Sequence, residues 1–124
     1  MNIYSSLNKI SNYIEENLFE NITSKKLSTL TGINYYSLNN AFSLLSGYTI
    51  KEYIRLRRLS NSFILLKSRP VTEIAFMCGY NCIEAFSRAF KKLHGFNPKQ
   101  AKISENFKFF PKITFKEIDN NIHN

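Results

Sequence analysis

One segment of this chain repeats another at a spacing of 47 to 48 residues, and that repeat limits the fold more than any other feature. Leu27 and Ile74, Ser28 and Ala75, and Gly32 and Gly79 stand 47 positions apart. Leu38 and Phe86, Ala41 and Ala89, Phe42 and Phe90, and Gly47 and Gly95 stand 48 apart. The one-residue slip falls in the turn between the two halves of the pattern, where an insertion disturbs least. The second copy is the fuller. Ile74-Ala75-Phe76-Met77-Cys78-Gly79-Tyr80-Asn81, followed by Ala85-Phe86-Ser87-Arg88-Ala89-Phe90-Lys91-Lys92, reads as a helix, a tight turn and a second helix that carries cations. A supersecondary unit used twice in a small basic chain suits two stretches of DNA major groove.

The apolar periodicity extends this plan along the chain. Ile3, Leu7, Ile10, Ile14 and Leu18 recur at helical spacing and predict one amphipathic helix over residues 3–19, with Glu15, Glu16 and Asn17 solvated. Thr23 is a good cap for a short helix through Leu27 and Leu30 that Gly32 ends, and Asn34 caps the next, with Leu38, Phe42 and Leu45 inward and Gly47 closing it. Thr49 with Glu52 forms a capping-box pattern at the start of a long helix through Ile50, Tyr53, Leu56, Leu59, Phe63 and Leu66, which Pro70 terminates. In the second unit Val71 and Ile74 line a short helix, Asn81 with Glu84 makes a cap pair, and Phe86, Phe90 and Leu93 face inward. Asn97, Pro98 and Gln100 announce a seventh helix. A helix of about 20 residues spans about 30 Å, close to the ~34 Å between turns of one major-groove face.

Charge placement agrees with the repeat. Residues 1–22 hold one cation and three acids, residues 23–100 twelve cations and three acids, and residues 101–124 four and three. The net charge of +8 therefore sits with the repeated motif, where a polyanion is the fitting partner. No run of about 18 apolar residues offers a membrane span, and the N-terminus lacks the pattern of a signal peptide, so a cytoplasmic location is expected. Cys78 and Cys82 are too few for a disulfide framework or a four-ligand zinc site; a buried Cys78 and a half-exposed Cys82 are expected, with no metal and no cofactor. His94 and His123, the two histidines, lack the partners that catalysis needs, so an enzyme is not expected.

The spaced set Ile74-Ala75, Gly79-Tyr80, Phe86, Arg88-Ala89-Phe90-Lys91-Lys92, Gly95 and Pro98 resembles the DNA-binding domain of the AraC/XylS family of bacterial transcription regulators, over roughly residues 5–102. The resemblance implies an all-α fold of seven helices: two homeodomain-like helix-turn-helix lobes, about 3–47 and 70–102, joined by a long linker helix, about 49–68. It implies double-stranded DNA as partner, RNA polymerase as a second, and a domain that activates or represses nearby promoters.

Carried over by position, the first reading helix offers Tyr36, Asn39 and Asn40 and the second Glu84, Ser87 and Arg88. Arg can fork onto guanine, Asn onto adenine, and Glu can accept from cytosine. A ring packed under the lobe competes for Tyr36, helix capping for Glu84, and a merely solvated cation for Arg88. Phosphate contacts fall to Lys91, Lys92, Lys99 and Lys102, with Lys25 and Lys26 as weaker candidates near the first lobe. Arg55, Arg57 and Arg58 lie on the long helix and are open to ion pairing instead. Many relatives have Arg where this chain has Asn40, so the first motif either binds loosely or reads A·T-rich sequence. Ala101-Lys102 replaces the family's usual Tyr-Arg pair. Because the two reading helices differ, the chain is expected to bind asymmetric DNA as a monomer.

Residues 103–124 read as an irregular or strand-like tail. Lys112-Ile113-Thr114-Phe115-Lys116 alternates, and Phe107, Phe109 and Phe110 are a heavy aromatic load. The tail resembles the opening of the effector domain that some longer family members carry, or else it folds back on the helices. The competing reading for the whole chain is a degenerate helix-turn-helix module that contacts RNA polymerase or another regulator and barely holds DNA.

Overall fold

A computed structural model describes residues 2–103 and 110–116, together forming two compact units. Residues 2–17, 21–50 and 112–116 belong to the first, and residues 18–20, 51–103 and 110–111 to the second. All regular structure among them is helical: six α-helices and one 3-10 helix.

The first unit packs α1 (Ile3–Glu16) against α2 (Ser24–Thr31) and α3 (Tyr35–Ser46). Its interior takes Leu7, Ile10 and Ile14 from α1, Leu27 from α2, and Leu38 and Phe42 from α3, each side chain contributing about 1.5–3 kcal/mol of burial. Thr23 and Asn34 cap α2 and α3 as expected, their side chains accepting from Lys26 N–H and Ser37 N–H. Leu45, read as an inner residue, is largely exposed.

The second unit is built on α4 (Ile50–Leu65), which joins it from Lys51 onward. Leu59, Phe63 and Leu66 meet Ile74, Ala75 and Cys78 from α5 (Val71–Met77) and its turn, Phe86 and Phe90 from α6 (Ile83–His94), and Ala101. His94 closes the aromatic side of this core, its ring 4.3 Å from that of Phe90 and its Nε2 3.1 Å from the Leu59 carbonyl. The expected seventh helix is a 3-10 helix, Pro98–Lys102, held by a full capping box between Asn97 and Gln100. At five residues it lies at the long end of what that tighter winding sustains.

Three expectations are corrected. α1 stops at Glu16 rather than running to residue 19, because the Asn17 side chain donates to the Tyr13 carbonyl while Leu18 and Phe19 belong to the second unit, where Phe19 packs on the core. Arg58 fixes that exit, with Nε donating to the Leu18 carbonyl at 2.6 Å and Nη2 to that of Glu20 at 2.8 Å. The Asn81–Glu84 cap pair does not form, since α6 starts at Ile83 and Cys82 holds the cap position without a side-chain bond. Lastly, of the two readings of the tail, the strand-like one fails for residues 112–116, which make no strand, and the fold-back one holds for them. They dock as an extended segment on the first unit: Asn8 brackets the Phe115 backbone with two 2.7 Å bonds, Ser11 Oγ donates to the Ile113 carbonyl, and the Phe115 ring sits 4.9 Å from Phe42. Phe110 is held in the second unit, its N–H donating to Ser60 Oγ and its carbonyl accepting from Arg57. Of the aromatic tail, Phe107 and Phe109 lie outside the described residues.

Candidate nucleic-acid interface

Each unit contains a helix-turn-helix, α2–α3 in the first and α5–α6 in the second. In both, the second helix ends on a glycine in the left-handed region, Gly47 at φ 84° and Gly95 at φ 89°, a conformation that a side chain would strain. The one-residue slip in the repeat lies between the turn glycine and the helix cap. Ile33 alone separates Gly32 from Asn34, whereas Tyr80 and Asn81 separate Gly79 from Cys82.

On α6 the outward positions are Glu84, Arg88, Lys91 and Lys92, all exposed. Buried Phe86 and Phe90 on the opposite side set this orientation. None of the four has a hydrogen bond or ion pair among the described residues. Glu84 therefore does not cap α6, although in its first turn the carboxylate meets the positive end of the helix dipole. Lys91 and Lys92, in the last turn, meet the negative end. Ser87 is half-buried and lies with Lys99 in the wall of an open cleft of about 380 Å³, completed by Val71, Ile83, Asn97 and Pro98. The cleft brings together two candidates that the sequence placed 12 residues apart.

On α3 the outward row is Tyr36, Asn40 and Leu44. Tyr36 is exposed, which removes the reading of its ring as packed under the lobe. Asn39 turns the other way: its Oδ1 accepts from Ile50 N–H at 2.9 Å. That oxygen is the acceptor an adenine fork requires, so Asn39 acts here as a cap on the start of α4. Leu44 escaped the sequence reading because a leucine on an amphipathic helix is ordinarily assigned inward; its place four residues beyond Asn40 was the available signal. Of the weaker phosphate candidates, Lys25 is exposed, and Lys26 holds its ammonium 5.9 Å from the Tyr13 ring centroid. The Lys102 side chain lies outside the described residues.

Five cations of α4 and its flank, all but Lys51 at its start, are engaged within the second unit. Arg55 lies over the Tyr80 ring at 5.5 Å, buried Arg57 donates to the Phe110 carbonyl, and Arg58 donates to Leu18 and Glu20. Lys67 donates to the Ala101 carbonyl, and Arg69 pairs with Glu73 at 3.0 Å. Burial lowers the Arg58 pKa from its ordinary value. Burial also pushes the Cys78 thiol up to about 12, against smaller opposing effects of Arg58 and a hydrogen bond from Ser62. No helix among the described residues is long and apolar enough to cross a membrane.

The sequence profile of a helix-turn-helix domain family matches residues 27–102, a span that takes in both turns and both second helices. The chain belongs to the AraC/XylS family. It is an AraC-type DNA-binding domain, from a family of transcription regulators and not of enzymes. The F1 operon positive regulatory protein of Yersinia pestis is 34% identical over 119 residues, covering 92% of this chain and 39% of that protein. Among solved structures, a probable AraC family transcriptional regulator from Rhodopseudomonas palustris is 29% identical with a TM-score of 0.71, covering 80% of this chain and 95% of that one. The DNA-binding domain of AdpA, a global transcriptional factor solved with a target DNA, shares the fold at 20% identity and a TM-score of 0.64, over 79% of this chain and 90% of that one. This AraC-type chain spans between 32% and 39% of the length of three curated relatives.

Proposed function

We propose that this chain binds promoter DNA site-specifically in the cytoplasm, with α3 and α6 as the two helices that enter successive stretches of major groove. The observation that carries the reading is the row Glu84–Arg88–Lys92 on α6: charged, outward and without an internal partner among the described residues, on the second helix of a helix-turn-helix. Arg88 presents a free guanidinium for a guanine edge, and Glu84 an acceptor for cytosine N4. Tyr36, Asn40 and Ser87 complete the base-facing set. Lys91, Lys92 and Lys99 are placed for phosphates, with Lys25 and Lys26 serving the first unit. One chain supplies two unlike reading helices, which suits asymmetric DNA bound as a monomer. RNA polymerase enters the proposal as the partner that promoter binding brings within reach.

Retention on double-stranded DNA under a salt gradient, followed by selection from a random duplex pool, tests this reading. Elution should move steeply with salt, and selection should enrich one asymmetric site. Salt-insensitive retention with no enriched sequence would instead favour a module that contacts protein.

A further inference from the structure

The register shared by the two units pairs their outward positions one for one: Tyr36 with Glu84, Asn40 with Arg88, and Leu44 with Lys92, each 48 residues apart. Within each helix the three recur every fourth residue and so lie on one face. Tyr36 is 76% and Leu44 85% exposed. Asn40 is exposed, and its amide has no hydrogen bond among the described residues. Leu44 thus contributes nothing to its own core and leaves an isobutyl group in water on a helix face that the fold does not cover.

The two trios differ in one consistent sense. The α6 trio is charged throughout, and its Arg and Glu match the major-groove edges of a G·C pair. The α3 trio is neutral throughout. Its Asn carries the donor and acceptor that fork onto adenine, and the apolar group a major groove offers to a leucine or a tyrosine ring is the C5-methyl of thymine. Charge could not substitute here, because α3 contains no cation from Tyr35 to Ser46.

We infer that α3 reads an A·T-rich half-site, Asn40 forking onto an adenine while Leu44 and Tyr36 cover thymine methyls on either side of it, and that Leu44 is a specificity-determining residue. The inference rests on the DNA-binding reading above. The first unit then draws its base preference from methyl burial and one amide fork, and the second from charge.

Selection with the full chain and with Asn40→Ala identifies the half-site under α3 as the one whose preference the variant relaxes. That half should be composed of A·T pairs. Replacing its thymines by deoxyuridine removes only the methyl groups, and should weaken the wild type about fourfold for each methyl group that α3 covers. The same replacement in the other half should change nothing. Leu44→Ala, at an exposed position outside the core, should lose the fourfold preference for the thymine under Leu44 and keep the preference for the thymine under Tyr36. A G·C-rich half under α3, or an A·T half whose deoxyuridine form binds as well as thymine, would overturn the inference while leaving the DNA-binding reading in place; the exposed apolar row would then belong to a protein interface. Absence of enrichment in either half would overturn the DNA-binding reading itself.

Discussion

Two adjacent asparagines of α3 have opposite jobs, and single substitutions separate them. Asn39 Oδ1 satisfies Ile50 N–H, one of the donors that the start of a helix leaves without an internal partner. Asn39→Ala should therefore lower stability by about 0.5–2 kcal/mol, read as a lower urea midpoint, with base preference unchanged. Asn40→Ala removes nothing that the fold uses, so stability should stay within about 0.5 kcal/mol while DNA selectivity falls. The cysteines divide similarly. Cys78 is buried and its thiol is pushed up to about 12, from an ordinary 9.0, chiefly by desolvation. Cys82 is exposed. A thiol-specific reagent at pH 8 should add one label to the native protein and two in denaturant, as mass spectrometry would count. The same shift has a stability sign. A group that stays protonated in the fold above its unfolded pKa contributes fully below about pH 9, and that contribution is lost as pH rises from 9.0 towards about 12. The denaturation midpoint should fall across that window, and less steeply in Cys78→Ala.

At the scale of elements, the extended segment 112–116 behaves as part of the first unit rather than as a dangling end. Phe115 is buried against Phe42, and Asn8 satisfies its backbone on both sides. Phe115→Ala should destabilise by about 3–5 kcal/mol, and removal of residues 110–124 should lower the melting temperature measurably. Thr114→Ala, at an exposed position, serves as the silent control. The sequence left a fold-back open but could not say where it docks, because Asn8, Ser11 and Phe115 are joined across about a hundred residues by side-chain-to-backbone bonds that leave no periodicity. The helices themselves were legible, since apolar spacing and the caps Thr23, Asn34 and Asn97 are local signals. Where local signals competed, they misled. Leu18 continues the α1 pattern but belongs to the second unit, and Asn81 resembles a cap although the repeat register points to Cys82, the equivalent of Asn34. Arg88, Lys91 and Lys92 could be found from sequence because buried phenylalanines fix which way α6 faces; the inward turn of Asn39 depends on where Ile50 begins the next helix, which spacing does not show.

Over the whole molecule the formal charge of +8 overstates what is available to a polyanion. Arg55, Arg57, Arg58, Lys67 and Arg69 are all held by rings, carbonyls or a carboxylate. The exposed cations without such partners on the DNA-reading elements are Arg88, Lys91, Lys92 and Lys99, with Lys25 on α2. Each phosphate neutralised contributes about 0.9 to the slope of log affinity against log salt, so a slope of about four is expected, well below what the 17 cations would give if all took part. Lys92→Ala should reduce it by about one and weaken all DNA sequences alike, whereas Arg88→Ala should cost about 1–3 kcal/mol at its preferred base pair and relax the preference there. Arg58→Lys provides the contrast. A lysine keeps the charge but cannot reproduce the guanidinium's planar fork onto the Leu18 and Glu20 carbonyls, so stability should fall while the salt slope is unchanged. Titrating DNA binding by fluorescence anisotropy across a series of salt concentrations, for these variants and the wild type, gives the slopes directly. A slope that drops by about one in Arg58→Lys as well would show that the cations of α4 reach phosphate, and that the division between internally held and outward charge does not govern binding.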